Sequence, residues 1–179
     1  FGDPGEGDAS QHALRDQVLQ SARRDEVKFI VISSDVVYPS GEMQDYETNF
    51  YLPLKGVEKP VYAIPGNHDW FSALDGFAAH LMTPDAARAA VRARVQADLR
   101  MSSTTPERIE ANLAEAARLR ELYRLPTALQ TAPFFEFRTG RFSLVAVDTG
   151  ILRTVDDRQL AWLRAALERM PGIGARIVQ

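Results

Sequence analysis

The sequence contains no cysteine and only three histidines, His12, His68 and His80, among 179 residues. Without Cys there is no disulfide, thiol nucleophile, iron–sulfur cluster or Cys-ligated zinc. With so little His, a metal site has to lean on carboxylate, amide or phenolate oxygen, which suits hard or borderline cations. No apolar run approaches the ~20 residues that a membrane-spanning helix needs. Nothing has the form of a signal peptide either, so cytoplasmic and exported locations both stay open. Lysine is scarce as well. Lys and Arg divide 3 to 18, which we read as the bias of a GC-rich genome rather than as function. The first residue is Phe1 rather than Met, and the expectation is a natural start that is missing or processed.

What is present is ordinary for a globular chain: 45% hydrophobic and 25% charged residues. That excludes wholesale disorder. The length fits one domain able to bury about two-thirds of its unfolded surface. The net charge of −3 is spread unevenly, since residues 1–83 carry 13 acidic and 6 basic side chains while the rest is mildly basic. The acid excess places the expected chemistry in the first half.

Along the chain, a turn-forming opening, Phe1-Gly2-Asp3-Pro4-Gly5-Glu6-Gly7, leads into a helical pattern capped by Asp8 or Ser10, with Leu14, Val18, Leu19 and Ala22 as its apolar stripe. Lys28–Ile32 and Pro60–Pro65 read as short buried strands, separated by an amphipathic, helical segment over 43–54. Strand, helix and strand in alternation imply right-handed βαβ units and a parallel sheet. From about residue 72 to 130 the chain turns Ala/Arg-rich and helical. Thr83-Pro84 and Thr105-Pro106 each read as an N-cap with Pro at the first helical position. Val91, Val95 and Leu99 make one stripe, and Ile109, Leu113, Ala116 and Leu122 another. The eight Arg of this segment alternate with acids and read as a solvated face, without a strong nucleic-acid signal. Strands over 133–137 and 142–147 form a hairpin about Thr139-Gly140. A helix near 157–169 turns Leu160, Leu163 and Leu167 inward, and Ala175–Gln179 begins another strand.

Functional groups of such sheets collect at the carboxyl ends of the strands. Asp3, Asp35 and Asn67-His68-Asp69 each follow an inferred strand, with 32 residues from Asp3 to Asp35 and 32 more to Asn67. Each interval is about one βαβ crossover. Tyr38 shares the Asp35 loop, so two carboxylates, a carboxamide and a phenol converge as oxygen ligands for a cation. Taken singly, an Asp at a strand end is more often a cap or turn residue. The set carries the argument.

These segments resemble a known family. Gly2-Asp3-Pro4-Gly5, Ser34-Asp35-Val36-Val37-Tyr38 and Gly66-Asn67-His68-Asp69 look like the first three motifs of the calcineurin-like metallophosphoesterases, and most closely those of the purple acid phosphatase branch. Asp148-Thr149-Gly150 through Gln159-Leu160-Ala161-Trp162-Leu163 is similar to that branch's later strand–helix unit. The resemblance implies a layered α/β fold with an inserted helical hairpin, incomplete at both ends. Residues 1–179 would form a single partial domain and 72–130 the insertion. It implies two metal ions (Fe, Mn or Zn): Asp3 and Tyr38 on the first, Asp35 bridging both, Asn67 on the second. It places His68 near the leaving group as acid or phosphate contact, with Asp69 orienting its ring. The implied reaction is hydrolysis of a phosphate mono- or diester, of a small molecule or a nucleotide, by a metal-bound hydroxide. Ser34 stands where the family has Gly. The three His ligands of the family's later motifs are absent, His12 and His80 being out of context, and the first would be expected just past residue 179. A chain so lacking is expected to bind its second metal poorly, if at all, and to be inactive or impaired alone. Two rivals remain: a calcineurin-like scaffold without chemistry, and a nucleotide-binding α/β domain whose Gly2–Gly7 loop cradles phosphate. The second has GxxGxG spacing instead of GxGxxG.

Overall fold

The computed structural model describes residues 1–96, 105–140, 142–150 and 153–169, the side chains of 94–96 excepted. Val95, Leu99 and the expected strand 175–179 therefore have no described side-chain placement. At the centre lie two short parallel strands, β1 (Ile30–Ile32) and β2 (Val61–Ala63), in the register Ile30 to Val61 and Ile32 to Ala63. Phe1–Asp3 lies along the outer edge of β1, with Ser33 N–H donating to Phe1 O and Asp3 N–H to Ser34 O. Residues 126–128 lie along the far side of β2, bonded through both backbone groups of Val61. The α/β architecture expected from the alternation is the one observed. The later strands β3 (Phe135–Arg138) and β4 (Ser143–Ala146) form the anticipated antiparallel hairpin. An aromatic cluster of Phe29, Tyr62, Phe135 and Phe137 joins it to the central layer.

Among the described residues, seven α-helices and two shorter helical turns surround these strands. Helix α1 (Ala9–Ala22) starts at Asp8, whose Oδ1 accepts from Ser10 N–H and Gln11 N–H, so Asp8 and not Ser10 is the cap. Its inward residues are Leu19 and Ala22, while Leu14 is exposed because five residues turn it about 140° from Leu19. The expected helix over 43–54 is broken into a 3₁₀ turn (Met43–Asp45), a π turn (Glu47–Tyr51) and a short α2 (Leu52–Leu54). Pro53 has no N–H to offer Asn49 O, and that carbonyl is taken instead by Gln11 Nε2 at 2.9 Å.

Beyond β2 come α3 (Asn67–Trp70), α4 (Asp75–Leu81), α5 (Pro84–Gln96) and α6 (Ile109–Tyr123). Thr83 accepts from Ala86 N–H and Ala87 N–H, as its capping role requires. Thr105-Pro106 does not open α6. It forms a turn one step earlier, with Arg108 N–H and Ile109 N–H both donating to Thr105 O. The α6 stripe is Ile109, Leu113, Ala116 and Leu119; Leu122 is exposed because successive three-residue steps rotate off the buried face. Arg88 binds Glu110 through both carboxylate oxygens, and Arg118 pairs with Glu115, in keeping with a solvated face. Last, α7 (Asp157–Glu168) fully buries Gln159 and Ala166, while Leu160 and Leu163 are half-buried and Leu167 is exposed. Its register turns because Gln159 is drawn inward to the backbone of Asp148. No described helix is long and apolar enough to cross a membrane.

The core runs from Ile32, Val36 and Val37 through Tyr46, Phe50 and Tyr51 to Phe77 and Leu81, all at most 1% exposed. His80 sits inside it, stacked on Tyr46 at 4.1 Å and within 3.0 Å of Tyr51 Oη through Nδ1. Burial, helped by the Arg120 charge, drives its imidazole from 6.5 down to about 3. A native group with a depressed value stays neutral while the unfolded chain protonates. Its contribution is therefore complete above pH 6.5 and is lost as pH falls toward 3. Between pH 6.5 and 4.5, denaturant unfolding should show the wild type losing about 1.4 kcal/mol per pH unit more than His80→Gln, which has no such group to protonate. Parallel pH profiles for the two proteins would remove His80 as the cause.

Candidate metal and phosphate site

The loops after the Phe1–Asp3 edge, after β1 and after β2 meet at the carboxyl ends of the strands. What holds them is a set of hydrogen bonds from side chain to backbone. The Asp69 carboxylate, buried completely, accepts from Val36 N–H at 2.9 Å, Val37 N–H at 3.2 Å and Gly66 N–H at 2.9 Å. Burial pushes its acid up to about 6, against the pull of those three donors. Asp35 answers in the other direction: Oδ1 accepts from His68 N–H at 2.9 Å and Oδ2 from Tyr38 Oη at 2.8 Å. Each loop thus supplies the partner that the other needs.

Glycine makes the approach possible. A Cβ on Gly66 would overlap Asp35 Oδ1 and the Asp35 backbone nitrogen, and one on Gly5 would overlap Val36 O. Asp3 and Asp35 both hold left-handed backbone conformations, with φ of 52° and 36°. Asp tolerates that region better than most residues, yet two strained aspartates at adjoining strand ends mark a place where geometry outranks local comfort.

His68 stacks against the Tyr38 ring at 4.3 Å, and its Nδ1 lies 2.6 Å from Pro39 O. A carbonyl can only accept, so Nδ1 carries the proton and Nε2 is left open. The expectation that Asp69 orients this ring is corrected here. Pro39 O is its partner, while the carboxylate of Asp69 is spent on three backbone amides. Asn67, exposed at the first position of α3, is next to His68. His12 is exposed on α1 and His80 is buried in the core, so neither joins the site.

The electrostatics suit a cation. Asp3, Glu6 and Asp35 form no ion pair with Lys or Arg among the described residues. Tyr38 is pushed well above the ordinary phenol range by desolvation first, then by its bond to Asp35 and the charges of Asp35, Asp3 and Glu6. Among the described residues no three His, Asp or Glu side chains form a ready cluster. The donors on these loops are of mixed type, two carboxylates, a phenol and an amide. Hard cations take such oxygen sets, and the donor chemistry fits them.

Sequence reasoning passed over two residues beside this site. Trp70 Nε1 donates to Asp148 Oδ1 at 3.1 Å, linking α3 to the loop after β4. The signal was available in part, because Asp148-Thr149-Gly150 also follows a strand.

The loops at the carboxyl ends of the parallel strands bring carboxylates without a basic partner, a phenol, an amide and an imidazole to one edge, donor types of the kind that metal-dependent hydrolases use. The sequence profile of the calcineurin-like phosphoesterases matches residues 1–99, just over half of the chain, and the chain belongs to that family. The family acts on phosphate esters and generally binds divalent metals. The match runs past the third motif into α5. No curated protein and no solved structure matches the chain.

The seam between the loops yields a prediction. Gly66→Ala should cost about 1–3 kcal/mol in denaturant unfolding, as overpacked sites do, because the added methyl must displace Asp35. An alanine variant of full stability would show that the two loops are not in fixed contact.

Proposed function

We propose that the chain hydrolyses a phosphate mono- or diester at a two-cation centre of the purple acid phosphatase type. The observation that carries this is the lattice of bonds about Asp35. It orients both carboxylate oxygens, and it brings Tyr38 and His68 against a patch of negative charge without a basic partner. Asp3 and Tyr38 would hold the first cation, Asp35 would serve both, and Asn67 the second. Cations bound there, Fe, Mn or Zn, supply charge neutralisation for the phosphoryl oxygens and activation of water.

The chain's own groups do the rest. Asp35 presents oxygens whose orientation is set before any ligand arrives, which lowers the cost of ordering them. Pro39 O takes the Nδ1 proton, leaving Nε2 as the atom that, once the ring is doubly protonated, would contact a phosphoryl oxygen or pass its proton to the leaving group. Asp69 acts on the site by holding the backbones of Val36 and Gly66, next to Asp35 and Asn67, together. Residues 1–179 would belong to one domain, with 72–130 as inserted helices packed behind the site.

The test uses the purified protein with Mn²⁺, Zn²⁺ or iron and two chromogenic substrates, an aryl phosphate monoester and a bis-aryl diester. Cation binding is expected, with metal-dependent hydrolysis slow for want of the missing His ligands, and Asp35→Asn should weaken that binding in calorimetry and lower the hydrolysis by more than about 100-fold. Equal activity and equal cation binding in the variant would overturn the mechanism.

A further inference from the structure

We propose that Asp148 is a positioning residue for the candidate site: through the Trp70 indole it fixes helix α3, and with it Asn67 and His68. The proposal rests on the reading of that site as a metal centre. Helix α3 is only four residues long, a single turn that cannot hold itself together in water. Its beginning is tied by Gly66 N–H to Asp69 and by His68 N–H to Asp35. Its end is tied by a side chain. Trp70 Nε1 donates to Asp148 Oδ1 at 3.1 Å, across 78 positions of sequence.

Asp148 is built to be a fixed acceptor. It is 5% exposed, and the same Oδ1 accepts from Gly150 N–H at 2.8 Å. Gln159 grips its backbone on both sides, accepting from Asp148 N–H at 2.7 Å and donating to Asp148 O at 2.5 Å. Gln159 in turn is fixed on α7, where its own N–H donates to the capping Asp156. Gly150, with φ of +57°, brings the backbone beneath the indole, and a Cβ there would lie 3.6 Å from the ring. Gly150 N–H thus holds the carboxylate oxygen, and Gln159 holds the backbone that bears it, where the indole N–H meets it. Asn67 stands three residues before Trp70, one turn away on the same short helix. A rotation of α3 that breaks the indole bond would swing the Asn67 amide and the His68 ring with it.

The full chain separates positioning from mere stability. Trp70→Phe keeps the ring and removes the donor, Asp148→Ala removes the acceptor, and Asp148→Asn keeps an oxygen acceptor while removing the charge. In Mn²⁺ calorimetry the first two are expected to weaken affinity about 10–100-fold, the usual effect of losing an outer partner, and Asp148→Asn to restore it. The double variant Trp70→Phe/Asp148→Ala should be no worse than either single one. Amide NMR spectra without metal give an independent reading, with the Asn67 and His68 resonances shifting in Trp70→Phe and Asp148→Ala and returning in Asp148→Asn. Unmoved resonances overturn the proposal, as does unchanged Mn²⁺ affinity in variants whose thermal stability has fallen. A wild type that binds no cation sinks the metal-centre reading instead, and the NMR comparison still decides the role of Asp148.

Discussion

The Asp69 carboxylate is the point on which the rest of the site depends. It is buried, and it spends its lone pairs on the N–H groups of Val36, Val37 and Gly66, which come from two different loops. A buried carboxylate without partners would be costly, so the loops have to close around it for the chain to fold at all. Once they do, Asp35 is held in a left-handed conformation that nothing local favours, and its oxygens face His68 N–H and Tyr38 Oη. The strain at Asp35 and the burial of Asp69 are two sides of one constraint.

That constraint explains why the site faces a packed wall instead of solvent behind it. Tyr46 lies under Gly76, and the charge of Asp69 is felt at the Tyr46 hydroxyl. Tyr46 stacks on His80, and Arg120 of α6 donates to His80 O at 3.2 Å. A continuous path of packed groups thus runs from the loop cluster through the irregular helical segment to the helices of 72–130. Arg88 and Arg118 of those helices pair with carboxylates, whereas Arg120 turns inward to His80 O, and His80 and Leu81 are buried with Tyr123 packed against the core.

Much of the architecture was legible in the sequence, and the reasons differ by element. A β-branched run at Ile30–Ile32 and an apolar one at Val61–Ala63 marked the two parallel strands, because buried parallel strands need little more than apolar residues and a polar stop. Helix faces were less legible. Leu14, Leu122 and Leu167 all read as inward and all are exposed, since each face is set by what it meets and not by its own apolar count. In α7 the deciding residue is a glutamine, whose amide is drawn to the Asp148 backbone. The break at 47–51 depends on Gln11 reaching Asn49 O, a contact across 38 positions that no local pattern contains.

For the candidate site, residue types could be read while their partners could not. Asp35, Tyr38 and His68 were recognisable from spacing and motif, and the structure places them in contact. The partner of the imidazole was misread, because a backbone carbonyl has no sequence signature. Pro39 O takes the place that an acidic side chain was expected to fill. The difference bears on chemistry. A carboxylate beside the ring would raise its basicity, whereas a neutral carbonyl fixes the tautomer and leaves the charge of the imidazole to be set by whatever meets Nε2. Because Pro39 O takes the Nδ1 proton, Nε2 is the ring atom left to meet a ligand.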